Sequence, residues 1–332
     1  MKVCIVGCGA LGGLLACFLS RSGVELTVVD RGRQYEAIRD NGLVLVDRNG
    51  DRERVKNIEV SDSLQHAGDF DTIFLAVKAH EIGALAEDLS ACMNSGSVLV
   101  TLQNGIPWWY FHNHAGPWEN HVIEATDPGG FLSTKLNIHN IIGCVAYPAA
   151  EVAEPGVIHH IEGVRFPLGE LSGRQSPRVQ KIADTLVGAG LKAPVLDDIR
   201  SEIWLKAWGN LAFNPISALT HATMSQIATY EPSRKYVIAL MHEAEEVAKA
   251  LGINLRVPLE RRLQGAAKVG NHKTSMLQDS LTLRPMEIDA ILGTVIEIAD
   301  LVECNVPHLA SLYALCSLRN TANLAQARDM SC

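Results

Sequence analysis

The sequence predicts an α/β protein in two parts. A doubly wound, parallel-sheet domain should span residues 1–197, and an all-helical domain residues 198–332. Three observations carry this reading. A glycine-patterned turn joins an apolar strand to an apolar helix near the N-terminus. Further short β-rich runs recur through the first part of the chain. From residue 199 onward those runs cease and helical periodicity takes over. A chain of 332 residues has room for two domains, taking roughly 150 residues for each.

The first strand is KVCIV (2–6). GCGALGG follows at once, then the apolar segment LLACFLSRSG. In this strand, G-x-G-x-x-G turn and helix, Gly7 permits the tight turn. Gly9 lets backbone approach a pyrophosphate, and Gly12 lets the helix pack closely on the strand. Ala10 and Leu11 complete the segment. The phosphates would sit at the helix N-terminus, where free N–H groups and the helix dipole favour an anion. A second strand, ELTVVD, ends in Asp30, eighteen residues after Gly12. The pattern is that of a Rossmann-type dinucleotide-binding domain. Asp30 suits a ribose 2′-hydroxyl and so NAD, whereas Arg31 or Arg33 suits the 2′-phosphate of NADP. The two signals conflict. The same N-terminal run, with one lysine and a small residue before Cys17, also has the look of a leader peptide; its glycine pattern favours the dinucleotide turn.

DTIFLAV (71–77) leads into Lys78, and SVLVTLQNG (97–105) ends in Gln103, Asn104 and Gly105. Ligands bind beyond the carboxyl ends of strands in an open α/β sheet, so Lys78 and Asn104 are candidate site residues. IPWWYFHNHAGPW (106–118) holds three of the five tryptophans. It either lines a mouth or interface or packs as a local core. DPGGF and the stretch from 143 to 163 read as turns and short antiparallel strands that close the sheet of this domain. His159 and His160 lack acidic partners at suitable spacing and read as strand residues.

Candidate helices of the second half are 200–219, 233–251, 257–269, 286–304 and 308–326, broken at YEPS, LGINLRVP, LRP and NVP. In the first of them, WLKAWGNLAFN (204–214) is almost wholly apolar, yet Lys206, Asn210 and Asn214 recur every fourth residue and share a face. A solvent-facing stripe usually carries several charges. Between Ile203 and Thr220 the only charged residue is Lys206, so the stripe reads as the floor of a cleft. A second polar cluster lies over 271–293. There Ser275 precedes a short apolar stretch, and Glu287 follows Arg284-Pro285 in the first turn of a helix, where the dipole favours a carboxylate.

The net charge is −8 and no stretch is strongly basic, which argues against nucleic acid as a partner. An anionic substrate would need a local cationic pocket. The eight cysteines include no C-x-x-C pair and no zinc-like spacing with histidine. No metal is expected, and a reduced cytoplasm fits best. No apolar run approaches the roughly 20 residues of a membrane span.

Taken in order, the glycine turn, AVKAHE, LQNGI, WLKAWGNLAFNP and TSMLQD…RPMEID resemble the ketopantoate reductase family (2-dehydropantoate 2-reductase) over almost the whole chain. The resemblance implies a helical domain like that of 6-phosphogluconate dehydrogenase and a site in the cleft between the domains. It implies NADPH-dependent reduction of ketopantoate to D-pantoate, a step toward pantothenate and coenzyme A. By this likeness Lys206 matches the catalytic lysine. Asn210, Asn214, Ser275 and Glu287 match substrate-site positions, with Glu287 assigned to the catalytic set. Lys78 and Asn104 match cofactor-site residues bordering the reacting carbon. NADP is the expected cofactor, with NAD kept open by Asp30, and a small 2-oxo acid and a homodimer are the expected partners.

Two departures stand out. The segment 106–147 is longer than in compact members, and THATMSQI replaces an expected asparagine-glycine turn. Reduction of another 2-oxo acid on the same scaffold is therefore the alternative. A non-catalytic NAD(P)-binding regulator is a further one, disfavoured because the lysine stripe and its acidic partner are both present. The chemistry suits the residues independently of the likeness. Hydride addition to a 2-oxo acid puts negative charge on the carbonyl oxygen, which an ammonium can stabilise and then protonate. A free lysine, with a pKa of about 10.4, is a weak acid for this work, and desolvation by Trp204 and Trp208 would make it stronger.

Overall fold

The computed structural model describes residues 1–268, 270 and 273–330. The chain divides into two compact units. The first comprises Met1–Gln103, Phe111–Val122 and Gly130–Ile199; the second comprises Asn104–Tyr110, Ile123–Gly129 and Arg200–Cys332. Cys332, one of the eight cysteines, lies outside the described residues, as do Asn271 and His272 of the polar cluster and Val269 at the end of a candidate helix.

The first unit runs β1 (Lys2–Val6), α1 (Ala10–Leu19), β2 (Glu25–Val29), α2 (Gly32–Asn41), β3 (Val44–Val46), β4 (Arg52–Arg54), β5 (Ile58–Ser61), β6 (Thr72–Leu75), α3 (Ala86–Ala91) and β7 (Val98–Thr101). It continues with α4 (Phe131–Lys135), β8 (Ile141–Cys144), β9 (Ala149–Glu154), β10 (Val157–Glu162), β11 (Leu168–Glu170) and α5 (Pro177–Gly188). Seven strands form one sheet in the order β11-β8-β7-β6-β1-β2-β5. All its pairings are parallel except that of β11 with β8. The order reverses at β1, which pairs with β2 on one side and β6 on the other. That is the switch point beyond which such sheets bind ligands.

The central strands are covered on both faces, which is why they read as continuous apolar runs rather than alternating ones. Val3 and Ile5 of β1, Phe74 of β6 and Val100 of β7 join Leu14 and Leu15 of α1 and Ile182 and Leu186 of α5 in one core. Each such side chain contributes roughly 2 kcal/mol by leaving water. Ser176 starts α5 by accepting the Val179 N–H, with Pro177 in the first turn.

The expectation that the strands over 143–163 close this sheet needs correction. Only β8 extends it. β9 and β10 form a hairpin in a separate four-stranded sheet, order β4-β3-β10-β9. Its origin is a long-range register: Val157–His159 pair in parallel with Val44–Val46. A Cβ on Gly13 would lie 2.5 Å from Ile158, so α1 rests directly on β10. The expectation that His159 lacks an acidic partner is also corrected. Its Nδ1 lies 3.3 Å from Glu151 across the hairpin, a half-buried cross-strand pair.

The second unit holds α6 (Ile199–Thr220), α7 (Met224–Thr229), α8 (Glu231–Ala250), α9 (Leu259–Lys268), α10 (Ser275–Leu281), a π-helical segment Asp289–Gly293, α11 (Thr294–Leu301) and α12 (Pro307–Asp329). Among the described residues of this unit there is no strand. α7 and α10 were not anticipated. Both are short and are started by threonines, Thr223 and Thr274, whose hydroxyls accept the N–H of Gln226 and Leu277. YEPS falls where α7 gives way to α8: Tyr230 lies between the two helices, and α8 starts at Glu231 rather than 233, because Pro232 suits a first turn, where a missing N–H costs little. No helix among the described residues is long and apolar enough to cross a membrane.

Candidate active site

The glycine turn is built as a cradle. Gly7, at φ +92°, follows β1 and donates its N–H to the Val29 carbonyl of β2. A Cβ on Gly12 would lie 1.9 Å from the Gly7 carbonyl oxygen, so α1 can start this close to the strand only with glycine there. A Cβ on Gly9 would meet nothing within 4 Å, which leaves backbone facing open space at the start of a ten-residue helix. This is the shape a pyrophosphate requires. Ala10 and Leu11 form the first turn of α1.

Asp30, just past β2, turns its carboxylate onto this loop. Oδ2 accepts the Cys8 N–H at 2.5 Å and Oδ1 accepts the Arg31 N–H at 2.7 Å. Burial pushes its carboxyl above the ordinary range, against the pull of those two hydrogen bonds, and Glu81 adds to the rise. Gln34, which sequence reading missed, donates to the Cys8 carbonyl at 2.6 Å and accepts the Gly156 N–H at 3.0 Å. It ties the loop to the β9–β10 turn. Gln103 similarly donates to the carbonyls of Leu75 and Val77, at 2.8 and 2.9 Å, and joins the ends of β6 and β7.

Lys78 follows β6 and sits at the start of a single helical turn, Ala79–Glu81. Its N–H donates to Glu81 Oε2 at 3.1 Å. The other oxygen of Glu81 lies 3.6 Å from the Arg31 guanidinium.

In the second unit α6 answers the question of the polar stripe. From Glu202 to Ala218 every residue is buried except Lys206, Gly209 and Asn210, which are half-buried. Asn214, the last of the stripe, is buried. The apolar remainder is anchored by indoles. Trp204 donates to the Tyr110 hydroxyl at 2.8 Å and Trp208 to the Met241 carbonyl at 2.7 Å. Tyr110 and its neighbours Trp108, Trp109 and Phe111 are buried, so this part of the 106–118 segment packs as core. Arg262 of α9 was not expected at the stripe. It donates to the Leu205 carbonyl at 3.0 Å, and a Cβ on Gly209 would lie 2.6 Å from its guanidinium. Glycine at 209 makes room for a second cation beside Lys206.

Glu287 lies one residue before the helical run rather than inside its first turn. Its Oε2 accepts from Asn104 Nδ2 at 3.3 Å. The sequence separation is 183 residues, and the pair is held by backbone. Ile106 N–H donates to the Ala290 carbonyl at 3.0 Å, and a Cβ on Gly105 would strike that same oxygen at 1.9 Å. Thr294 donates to it as well, at 2.8 Å. A second clamp comes from Glu297, whose two oxygens accept the N–H groups of Glu124 and Ala125, each at 2.8 Å. These contacts explain why 104–110 and 123–129 belong to the second unit. Ser275 is the exposed first residue of α10, after its cap Thr274. Among the described residues no group of three or more His, Cys, Asp or Glu side chains is placed to hold a metal ion.

Residues 3–173 match the family model "Ketopantoate reductase PanE/ApbA", and residues 198–320 match its C-terminal counterpart. A curated relative from Mesorhizobium japonicum, named 2-dehydropantoate 2-reductase, is 45% identical over 316 residues, 95% of this chain and 96% of that protein. A solved structure from Ralstonia solanacearum MolK2, described as a candidate ketopantoate reductase, superposes with a TM-score of 0.91. It is 32% identical, covering 97% of this chain and 98% of that one. The 2-dehydropantoate 2-reductase of Geobacter metallireducens GS-15 gives a TM-score of 0.83 at 27% identity, covering 96% and 99%.

Proposed function

Because the chain belongs to the ketopantoate reductase PanE/ApbA family, we propose that it reduces 2-dehydropantoate to D-pantoate with NADPH, a step of pantothenate and coenzyme A synthesis. The observation that carries this reading is α6: from Glu202 to Ala218 the helix is buried except at Lys206, Gly209 and Asn210. A cation and amides on a rigid apolar element are what reduction of a carbonyl in an anionic substrate requires.

The first unit is the dinucleotide-binding domain and the second the substrate domain. Gly7, Gly9, Ala10, Leu11 and Gly12 receive the pyrophosphate, since an open backbone at a helix start fits it. Asp30 and Arg31 flank the adenosine ribose, and Lys78 and Asn104 border the reactive ring. When bound, the reduced nicotinamide supplies the hydride. Lys206 holds its ammonium against the substrate carbonyl oxygen, stabilises the charge that grows there and delivers the proton. Asn210 and Asn214 orient lysine and acid without adding charge. Glu287, steadied by Asn104, accepts the substrate hydroxyl, and Ser275 donates to the carboxylate. Arg31 gives NADPH the advantage by pairing with its 2′-phosphate, while Asp30 lets NADH bind.

Two features of the setting complete the proposal. Cys17 and Cys316 are buried thiols whose pKa burial pushes up to about 12. Inert thiols of this kind suit the cytoplasm. Leu315 and Leu318 stand exposed on α12, and this face is proposed to pair with a second copy of the chain.

A second reading has its own observation. His221, in the THATMSQI stretch that stands where the family likeness implies an asparagine-glycine turn, takes a left-handed backbone, φ +60°, just after α6. One substrate contact would then differ, and a related 2-oxo acid would be the substrate. The experiment is to incubate the protein with NADPH and ketopantoate and identify the product by chiral chromatography. D-Pantoate in amounts equal to the NADPH consumed is expected. NADPH consumption with another 2-oxo acid but none with ketopantoate would replace the first reading with the second.

A further inference from the structure

Beyond β2 and β6, three charged groups gather at the place proposed for the adenosine ribose. Asp30 is fixed by two backbone N–H groups. The Arg31 main chain is fixed by the same carboxylate and by its position as the residue preceding α2. Glu81 is anchored through one oxygen by the Lys78 N–H, and its other oxygen lies 3.6 Å from the Arg31 guanidinium. Asp30 and Glu81 are near enough for Glu81 to add to the rise in the Asp30 carboxyl that burial begins. Nothing in the local backbone calls for a charge at position 81, because a glutamine would accept the same N–H.

We propose that Glu81 sets how strongly the protein prefers NADPH to NADH, by holding the Arg31 guanidinium and placing a second fixed carboxylate beside Asp30. This rests on the reading that Arg31 faces the 2′-position of the bound dinucleotide. A 2′-phosphate carries up to about two negative charges. To pair with Arg31 it must take the guanidinium from Glu81 and bear the field of two carboxylates. A 2′-hydroxyl does neither. The site as built narrows the advantage that Arg31 alone would give NADPH. The Arg31 and Glu81 side chains are 68% and 37% exposed, so solvent screens the pair and the effect is modest.

The test is direct binding, without substrate. NADPH and NADH are titrated against the quenching of tryptophan fluorescence for wild type, Glu81→Gln, Glu81→Ala and Arg31→Ala, with thermal melts to verify folding. Glu81→Gln keeps an acceptor for the Lys78 N–H and removes the charge. It should raise the ratio of NADH Kd to NADPH Kd by at least about threefold, the scale of an exposed pair. Glu81→Ala should move the ratio in the same direction. A change below threefold in the folded variants, or a shift toward NADH, overturns the proposal. Arg31→Ala separates the two levels. If it weakens NADPH selectively while Glu81→Gln changes nothing, Glu81 has no such role but the reading of Arg31 stands. If it weakens both cofactors equally, that reading is wrong and the proposal falls with it.

Discussion

Lys206 owes its place to what surrounds it. Ile203, Trp204, Leu205, Ala207 and Trp208 are all buried, so the helix cannot roll or shift without pulling indoles from their partners. The lysine itself fills little core. Lys206→Ala is therefore expected to melt near the wild-type temperature and bind NADPH almost normally. Its kcat should fall by about 10²–10⁴, the usual loss for a general acid. Stopped-flow turnover beside cofactor titration measures both. Retention of more than about a tenth of kcat, under 1.4 kcal/mol of barrier, would remove Lys206 as the donor. Asn210→Ala should lose less, since an orienting amide transfers no proton. The stripe was legible in the sequence because three polar residues interrupt an apolar run at helical spacing. Arg262 beside it was not, because its packing on Gly209 depends on how two helices meet. Glu81 was hidden for the same reason: its partner Arg31 lies fifty residues earlier, and no periodicity links them.

At the level of elements, two junctions carry predictions. The first is β11 with α5. Burial would raise the Glu170 carboxyl, but hydrogen bonds from Arg178 and Ser176 outweigh it and hold the pKa below the ordinary range. Arg178 donates twice, at 2.5 and 2.7 Å, and Ser176 once, at 2.5 Å. Since the folded pKa lies below the unfolded one, the ionised group stabilises the fold above the unfolded value. That stabilisation is lost as pH falls through the folded value. Glu170→Gln should cost about 2 kcal/mol near neutrality. The gap from wild type in urea unfolding should close as pH falls below about 4. A gap that stays constant into acid would show that packing, not charge, is at work.

The second junction is Gly105 on the π-helical segment. Gly105→Ala would combine a left-handed backbone, φ +84°, with a Cβ driven into the Ala290 carbonyl. A stability loss of at least about 2 kcal/mol is expected, with kcat falling because Asn104 and Glu287 part. Unchanged unfolding and kcat would mean the clamp does not position them. Long periodic helices were readable in advance, whereas α7 and α10, though capped by Thr223 and Thr274, are too short for periodicity to show. α5, with Ser176 and Pro177 at its start, carried a signal that was overlooked. The π-helical turn and the second sheet had none, because each depends on pairings more than a hundred residues apart.

For the whole molecule, the two-part architecture was visible in the change from β-rich runs to helical periodicity near residue 198. The interleaving of the units was not. Asn104–Tyr110 and Ile123–Gly129 follow strands of the first half in sequence yet pack with the helices of the second. Local composition cannot reveal that, since Ala290 and Glu297, their backbone partners, lie far down the chain. Sedimentation should find a dimer, and Leu318→Asp should shift it toward monomer; a wild-type monomer at micromolar concentration would remove the α12 face as a contact. The most direct measurement of the proposed activity is kcat/KM for NADPH oxidation across simple 2-oxo acids, ketopantoate among them. Ketopantoate is expected to give the highest value. A preference of tenfold or more for another acid, about 1.4 kcal/mol in the barrier, would contradict ketopantoate as the substrate.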